Sequence, residues 1–194
     1  MTLDKSFWDK RWQNQNTGWD LGEVSPAIKN YIDQLEDKEL EILIPGAGNA
    51  YEAEYLVSQG FTNITVIDIA PTLIAQLKEK HEETKGLKLI EGDFFKHDGT
   101  YDLIIEQTFF CAIDPSLRDA YIDKIHKLLK PNGKLVGVLF NRDFVGGPPF
   151  GGSKLEYEKR FQSKFNIHKL ERCYCSYPAR EDAEVWISVS PRAV

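Results

Sequence analysis

The chain has no apolar run that approaches the length of a bilayer span, and its opening MTLDKSFWDK holds no apolar core of signal-peptide size. A cytoplasmic protein without a membrane partner is the expectation. Cysteine is scarce: Cys111, Cys173 and Cys175 are odd in number, lack zinc-ligand spacing and, where two apart, are poorly placed to bridge, so buried free thiols are expected. The four histidines, His81, His97, His126 and His168, lie far apart in polar or amphipathic surroundings, and no metal is predicted. Basic residues number 24 against 30 acidic ones, giving a net charge of −6, and they are scattered, which argues against nucleic acid as a partner. No Ser-His-Asp or Cys-His constellation is recognisable from residue order, so no catalytic residue is assigned. What remains is an ordinary globular composition, 42% hydrophobic and 28% charged over 194 residues, which predicts one domain over 1–194.

The stretch EILIPGAGNAYEAEYLVSQGFTNITVIDIA, Glu41 to Ala70, carries the chemistry. Ile42, Leu43 and Ile44 are too few for a helix and run straight into Gly46-Ala47-Gly48, as a buried strand entering a tight turn does. Helix formers fill Ala50 to Val57, Gly60 stops them, and Ile64 to Ile69 form a second strand with Asp68 near its end. That acid lies about twenty residues after the glycines, where an adenosine ribose would meet it. A dinucleotide fingerprint needs a third glycine where this chain has Tyr51, which disfavours a nicotinamide oxidoreductase, and no GK[ST] follows for a phosphate loop. S-adenosylmethionine fits better: its ribose hydroxyls can donate to Asp68, with Ile69 alongside, and its methionine tail needs only close backbone at Gly46 and Gly48.

The alternation continues. Pro71 opens a helix with Leu73, Ile74 and Leu77 at helical spacing, LKLIEGDFF is a third strand, YDLIIEQ a fourth, DPSLRDAYIDKIHKLLK a helix capped by Asp114, and KLVGVLF a fifth strand after PNG. This predicts an α/β fold, a mostly parallel sheet with helices on both faces. After GGPPFGG come a short helix from Ser153 and two strands, FNIHKLERCYCSY and AEVWISVS, placed to pair antiparallel. Ligands of such sheets bind at the carboxyl ends of the strands, where Asp93 and Phe94 join Asp68, with Asp93 facing the adenine amino group. The loop Phe144 to Gly152 follows the fifth strand, and Phe144 and Phe150 are assigned to the acceptor side.

Residues 1–38 form an aromatic arm. Trp8 and Trp12 share a face of a helix opened by Ser6, and Trp19 follows in a loop, so three of the four tryptophans fall within twelve residues. Such indoles dock an arm on a core and can also cover a sulfonium cofactor. The series W-x3-W-x6-WD, LGxxSP, PGAG, VIDIA, GDFF, FFCAIDP and VGGPPF, in this order from about Phe7 to Ser190, resembles the thiopurine S-methyltransferase-like family, and most closely its halide and thiol methyltransferase branch. The resemblance implies a seven-stranded class I methyltransferase Rossmann-like fold, S-adenosylmethionine as donor, small soft nucleophiles (thiol, bisulfide or halide) as acceptors, and cofactor contacts at Trp8, Trp12, Trp19, Gly46, Asp68, Asp93, Phe94 and Gln107. It places Arg180 near the acceptor. At Gln107 the thiopurine enzymes carry Arg and the halide branch tends to carry Tyr, whereas this chain reads IEQT, which counts against a thiopurine substrate. Two alternatives stay open: an S-adenosylmethionine sensor or inactive member of the fold, and a methyltransferase of another small molecule.

Overall fold

The computed structural model describes residues 2–193. Two helices come first, α1 (Lys5–Gln13) and α2 (Pro26–Ile32). Then β1 (Ile42–Pro45), α3 (Tyr51–Ser58), β2 (Ile64–Asp68), α4 (Pro71–Lys80), β3 (Leu87–Glu91) and β4 (Tyr101–Gln107) alternate. The remaining elements are α5 (Arg118–Leu128), β5 (Leu129–Phe140), α6 (Lys154–Phe161), β6 (Phe165–Arg172) and β7 (Glu184–Pro191). The strands form one seven-stranded sheet in the order β3-β2-β1-β4-β5-β7-β6. Strands β1 to β5 are parallel, and β7 runs antiparallel between β5 and β6, so the two C-terminal strands pair as their sequence predicts. Strand order reverses between β1 and β4, which opens a crevice at the carboxyl ends of those two strands.

Side chains alternate across this sheet with period two, and each face has its own core. Leu43, Ile104, Leu135 and Ile187 pack beneath α5 and α6 with Tyr121, Ile125, Tyr157 and Phe161. On the opposite face Ile42, Ile44, Val66, Leu103 and Val136 pack against Ile28 and Ile32 of α2, Leu56 of α3 and Leu73 of α4. Each fully buried Leu or Ile contributes about 1.5–3 kcal/mol, so these two layers fix the strand ends from which the site is built. No helix among the described residues is long and apolar enough to cross a membrane.

Several boundaries differ from the sequence reading, each for a local reason. Asp4, rather than Ser6, caps α1, its carboxylate accepting from Phe7 N at 2.9 Å. Ala50 takes a φ of +61°, which delays α3 to Tyr51. The single helix expected from Asp114 is a 3₁₀ turn, Pro115–Leu117, capped by Asp114, followed by α5, and PNG lies inside β5 where its register with β4 shifts. Cys111 and Cys173 are buried free thiols as expected, whereas Cys175 is exposed. Helix α4 has Pro71 in its first turn and no cap of its own; Thr72 N donates instead to Asp9 Oδ1 of α1 at 2.8 Å. The arm thus supplies the carboxylate that the N-terminus of α4 lacks.

Candidate active site

The carboxyl ends of β1, β2, β3 and β4 open into a cavity of about 990 Å³. Gly46 and Gly48 leave β1 with φ of +68° and +50°, values that side-chain-bearing residues rarely adopt. Their surroundings differ. A Cβ on Gly46 would run into the Phe109 ring, so this glycine makes room for a protein side chain. A Cβ on Gly48 would meet no protein atom within 4 Å, and Gly48 lines the cavity, so its bare backbone faces ligand space.

Asp68 stands at the end of β2 with Oδ1 accepting from Ala70 N at 2.9 Å. Burial pushes its carboxyl up to about 6, against the N–H groups of Ala70, Ala47 and Ile69, which favour the ionised form. Ile69, Asp93 and Phe94 continue this wall. Asp93 Oδ1 accepts from Phe95 N at 2.9 Å and caps the short turn Phe94–Lys96 rather than ending a strand. Phe94 is buried and meets Phe109 edge-on at 5.1 Å.

The floor comes from the segment after β4. Glu106 is fully buried next to the end of that strand, after Leu103, Ile104 and Ile105; Oε1 accepts from Phe109 N at 2.8 Å and Phe110 N at 2.9 Å, and Oε2 accepts from the Tyr121 hydroxyl at 2.6 Å. Burial pushes its carboxyl up to about 7, opposed by those three donors. The turn they hold includes Thr108 at φ +61°, a strained conformation for a β-branched residue that persists only where its surroundings impose it. Thr108, Phe109, Cys111, Ala112 and Ile113 all line the cavity. The sequence signal for Glu106 was an acid within YDLIIEQ; its partner on α5 has no local signature.

The arm forms the remaining cover. Trp19 lies edge-on to Trp8 at 5.7 Å and to Trp12 at 5.9 Å, and all three line the cavity. Trp19 O accepts from Arg180 Nη2 at 2.9 Å, Asp20 Oδ2 from Asn49 Nδ2 at 2.5 Å, and Glu52 Oε1 from Ser25 N at 3.1 Å. Opposite lie Phe140, Phe144, Pro148 and Pro149, an apolar wall from the end of β5 and the loop beyond it. Arg180 projects between this wall and the arm. Its side chain is 11% exposed and lies 3.5 Å from Glu184 Oε1, yet the buried Nη1 makes no hydrogen bond.

All the sequence-assigned site residues therefore line one cavity except Gln107 and Phe150. Gln107 ends β4 with a buried Oε1 that has no hydrogen-bond partner, off the cavity wall. Phe150 packs its ring over Gly147, which turns it from the cavity, and its N–H donates to Cys111 O at 2.7 Å.

This arrangement has relatives. The profile of the thiopurine S-methyltransferase family matches residues 3–186. The chain belongs to that family. Probable thiol methyltransferase 2 of Arabidopsis thaliana is 33% identical over 158 residues, covering 78% of this chain and 70% of that protein. Thiocyanate methyltransferase 1 of the same plant is 30% identical over 156 residues, covering 77% and 68%. In three dimensions, the 1,6-didemethyltoxoflavin-N1-methyltransferase of Burkholderia thailandensis, solved with S-adenosylhomocysteine bound, superposes with a TM-score of 0.74 over 97% of this chain and 87% of that one, at 17% identity, a likeness of fold. The methyltransferase uses S-adenosylmethionine, and its cavity suits that molecule: Gly48 leaves backbone bare, Asp68 offers a carboxylate for hydroxyl donors, and the indole faces form an aromatic cover.

Proposed function

We propose that the protein methylates a small soft nucleophile that is already ionised in solution (a thiolate, bisulfide or a halide), and that residues 1–194 act as one domain in the cytoplasm. S-adenosylmethionine, when bound, supplies a methyl group on a positively charged sulfur, which an incoming nucleophile takes by in-line displacement. Asp68, Gly48, Ile69, Asp93 and Phe94 would hold it on the sheet side, with Trp8, Trp12 and Trp19 as cover. The chain's own contribution is alignment and exclusion of water, and alignment can supply about 7–11 kcal/mol of such a barrier.

The observation that carries the choice of acceptor is Arg180. A buried guanidinium nitrogen without a hydrogen bond, 3.5 Å from one carboxylate oxygen of Glu184 and set beside an apolar wall, supports a small anionic guest that would share this cation with Glu184. Away from Asp68 and Asp93, which are assigned to the donor, the lining also offers little basic help. No histidine is among the lining residues described, Cys111 is pushed up to about 12 by burial and then by the Glu106 charge, and Asp114 is held below the usual carboxylate range by the Ser116 hydroxyl and N–H. An acceptor that arrives ionised needs no base. Transfer of label from S-adenosylmethionine to iodide, bisulfide and a small aromatic thiol, compared with a catechol and a primary amine, tests the reading. Turnover of the first three supports it; turnover confined to the catechol or amine contradicts it, and tight donor binding without any turnover would indicate a sensor.

A further inference from the structure

We propose that Arg118, which does not line the cavity, is the positioning residue that sets the acceptor wall. The inference rests on the reading of the Phe144–Gly152 side as that wall. Arg118 opens α5 and is 4% exposed. Its Nη1 donates to both carboxylate oxygens of Glu156 on α6, at 2.9 and 3.1 Å, and its Nη2 donates to Gly151 O at 2.7 Å. Its guanidinium carbon also sits 4.8 Å from the centroid of the Phe110 ring. One planar group therefore touches both segments that shape the acceptor side: the loop after β5 through a carbonyl, and the segment after β4 through an aromatic face. Among the described residues, no other side chain outside the loop hydrogen-bonds the backbone of 143–152.

Next to that bond, Phe150 N donates to Cys111 O at 2.7 Å, so Gly151 and Phe150 are tied at adjacent peptides to the two sides of one joint. This explains why Phe150 faces away from the cavity while Phe144, Pro148 and Pro149 face it: the loop is pinned behind and presents its other residues forward. Stability gives no sufficient reason for the arginine. A buried ion pair is often no better than apolar residues of similar volume, and here the Arg118 Nε is buried with no partner. What an apolar residue cannot do is hold the Gly151 carbonyl, and what lysine cannot do is reach Glu156 and Gly151 with a planar fork.

Two variants of the full chain separate positioning from packing. R118K keeps a cation for Glu156 and gives up the fork; R118M, which removes both contacts and leaves Glu156 its second partner, Arg160 Nε at 2.8 Å, serves if the lysine variant fails to fold. Backbone hydrogen exchange is read over 143–152, over the arm and over the sheet, together with S-adenosylmethionine Kd by calorimetry and KM and kcat with thiophenol as acceptor. Exchange should quicken in 143–152 alone. Acceptor KM should rise about five- to tenfold, the scale of one lost hydrogen bond of ordinary net strength, while donor Kd stays within about twofold of wild type. The proposal is overturned if exchange in the loop is unchanged, if it quickens equally throughout the chain, or if donor Kd and acceptor KM worsen together. The exchange experiment needs no turnover, so a wild-type protein that methylates no soft acceptor would refute the proposed function and still leave the role of Arg118 decided.

Discussion

Replacing Asp68 by Asn keeps the shape of the side chain and removes the charge that a ribose hydroxyl would donate to. A charge-assisted hydrogen bond exceeds a neutral one by about 1–2 kcal/mol, so D68N should weaken S-adenosylmethionine binding about five- to thirtyfold at pH 7. The wild type carries a second signature. Its carboxyl titrates near 6 because burial disfavours the charged form, so it is about nine-tenths ionised at pH 7 and about one-tenth at pH 5. If binding uses the carboxylate, donor affinity should fall about tenfold between those two pH values, and D68N should lose that step. Because the raised value means that ionised Asp68 opposes folding, the variant should be at least as stable as wild type at pH 7, and weaker binding cannot be ascribed to unfolding. Calorimetric titration with S-adenosylmethionine at pH 5, 6 and 7 and fixed ionic strength reads the affinities and the step, and a thermal melt at pH 7 reads the stability. A wild-type affinity that is flat across this range, or a step that survives in D68N, would refute the placement of the carboxylate at the ligand.

The two glycines after β1 should respond differently: G46A must both adopt φ +68° and displace the Phe109 ring, and should lose about 2 kcal/mol or more by chemical denaturation. G48A meets only the φ cost of about 1 kcal/mol and should show its larger loss in donor affinity. For Glu106, whose carboxyl lies near 7 when folded against an ordinary 4.5, the stability present below about 4.5 is lost as pH rises through about 7. Wild-type Tm should therefore fall from pH 5 to 8 by up to about 10 °C, and E106Q, which can still accept from Phe109 and Phe110 and donate to Tyr121, should fall less; parallel profiles in a thermal melt would remove Glu106 as the cause.

How much of this was legible depended on whether a signal was local. The β1-α3-β2 unit could be read because a glycine turn, a helix stop and an acid at the next strand end lie within one short stretch, and the parallel sheet followed from repetition of that unit. The features that escaped are made by residues distant in the chain. The cap of α4 is Asp9, 63 residues before Thr72, and α1 starts from Asp4 rather than from the expected Ser6 because the Asp4 carboxylate accepts from Phe7 N. The glycine at 46 lines the cavity, but its missing Cβ also makes room for Phe109, a ring supplied by the turn at Thr108 and not signalled near the glycine in sequence. Phe150 had the composition of a pocket wall, and the Gly151 contact with Arg118 decides which way the loop faces.

The central claim, methyl transfer to a soft nucleophile that the enzyme does not deprotonate, is tested most directly by the ratio of two pH profiles. Rates with a thiol and with iodide, both subsaturating and with the same donor concentration, share every titration of the protein, Asp68 and Glu106 included, and these cancel in the ratio. The thiol reacts as its thiolate, so the ratio of thiol to iodide rates should rise about tenfold per pH unit until it levels at the free thiol's own pKa. A ratio that levels well below that pKa would reveal a protein base and contradict the account, as would the absence of turnover with both acceptors.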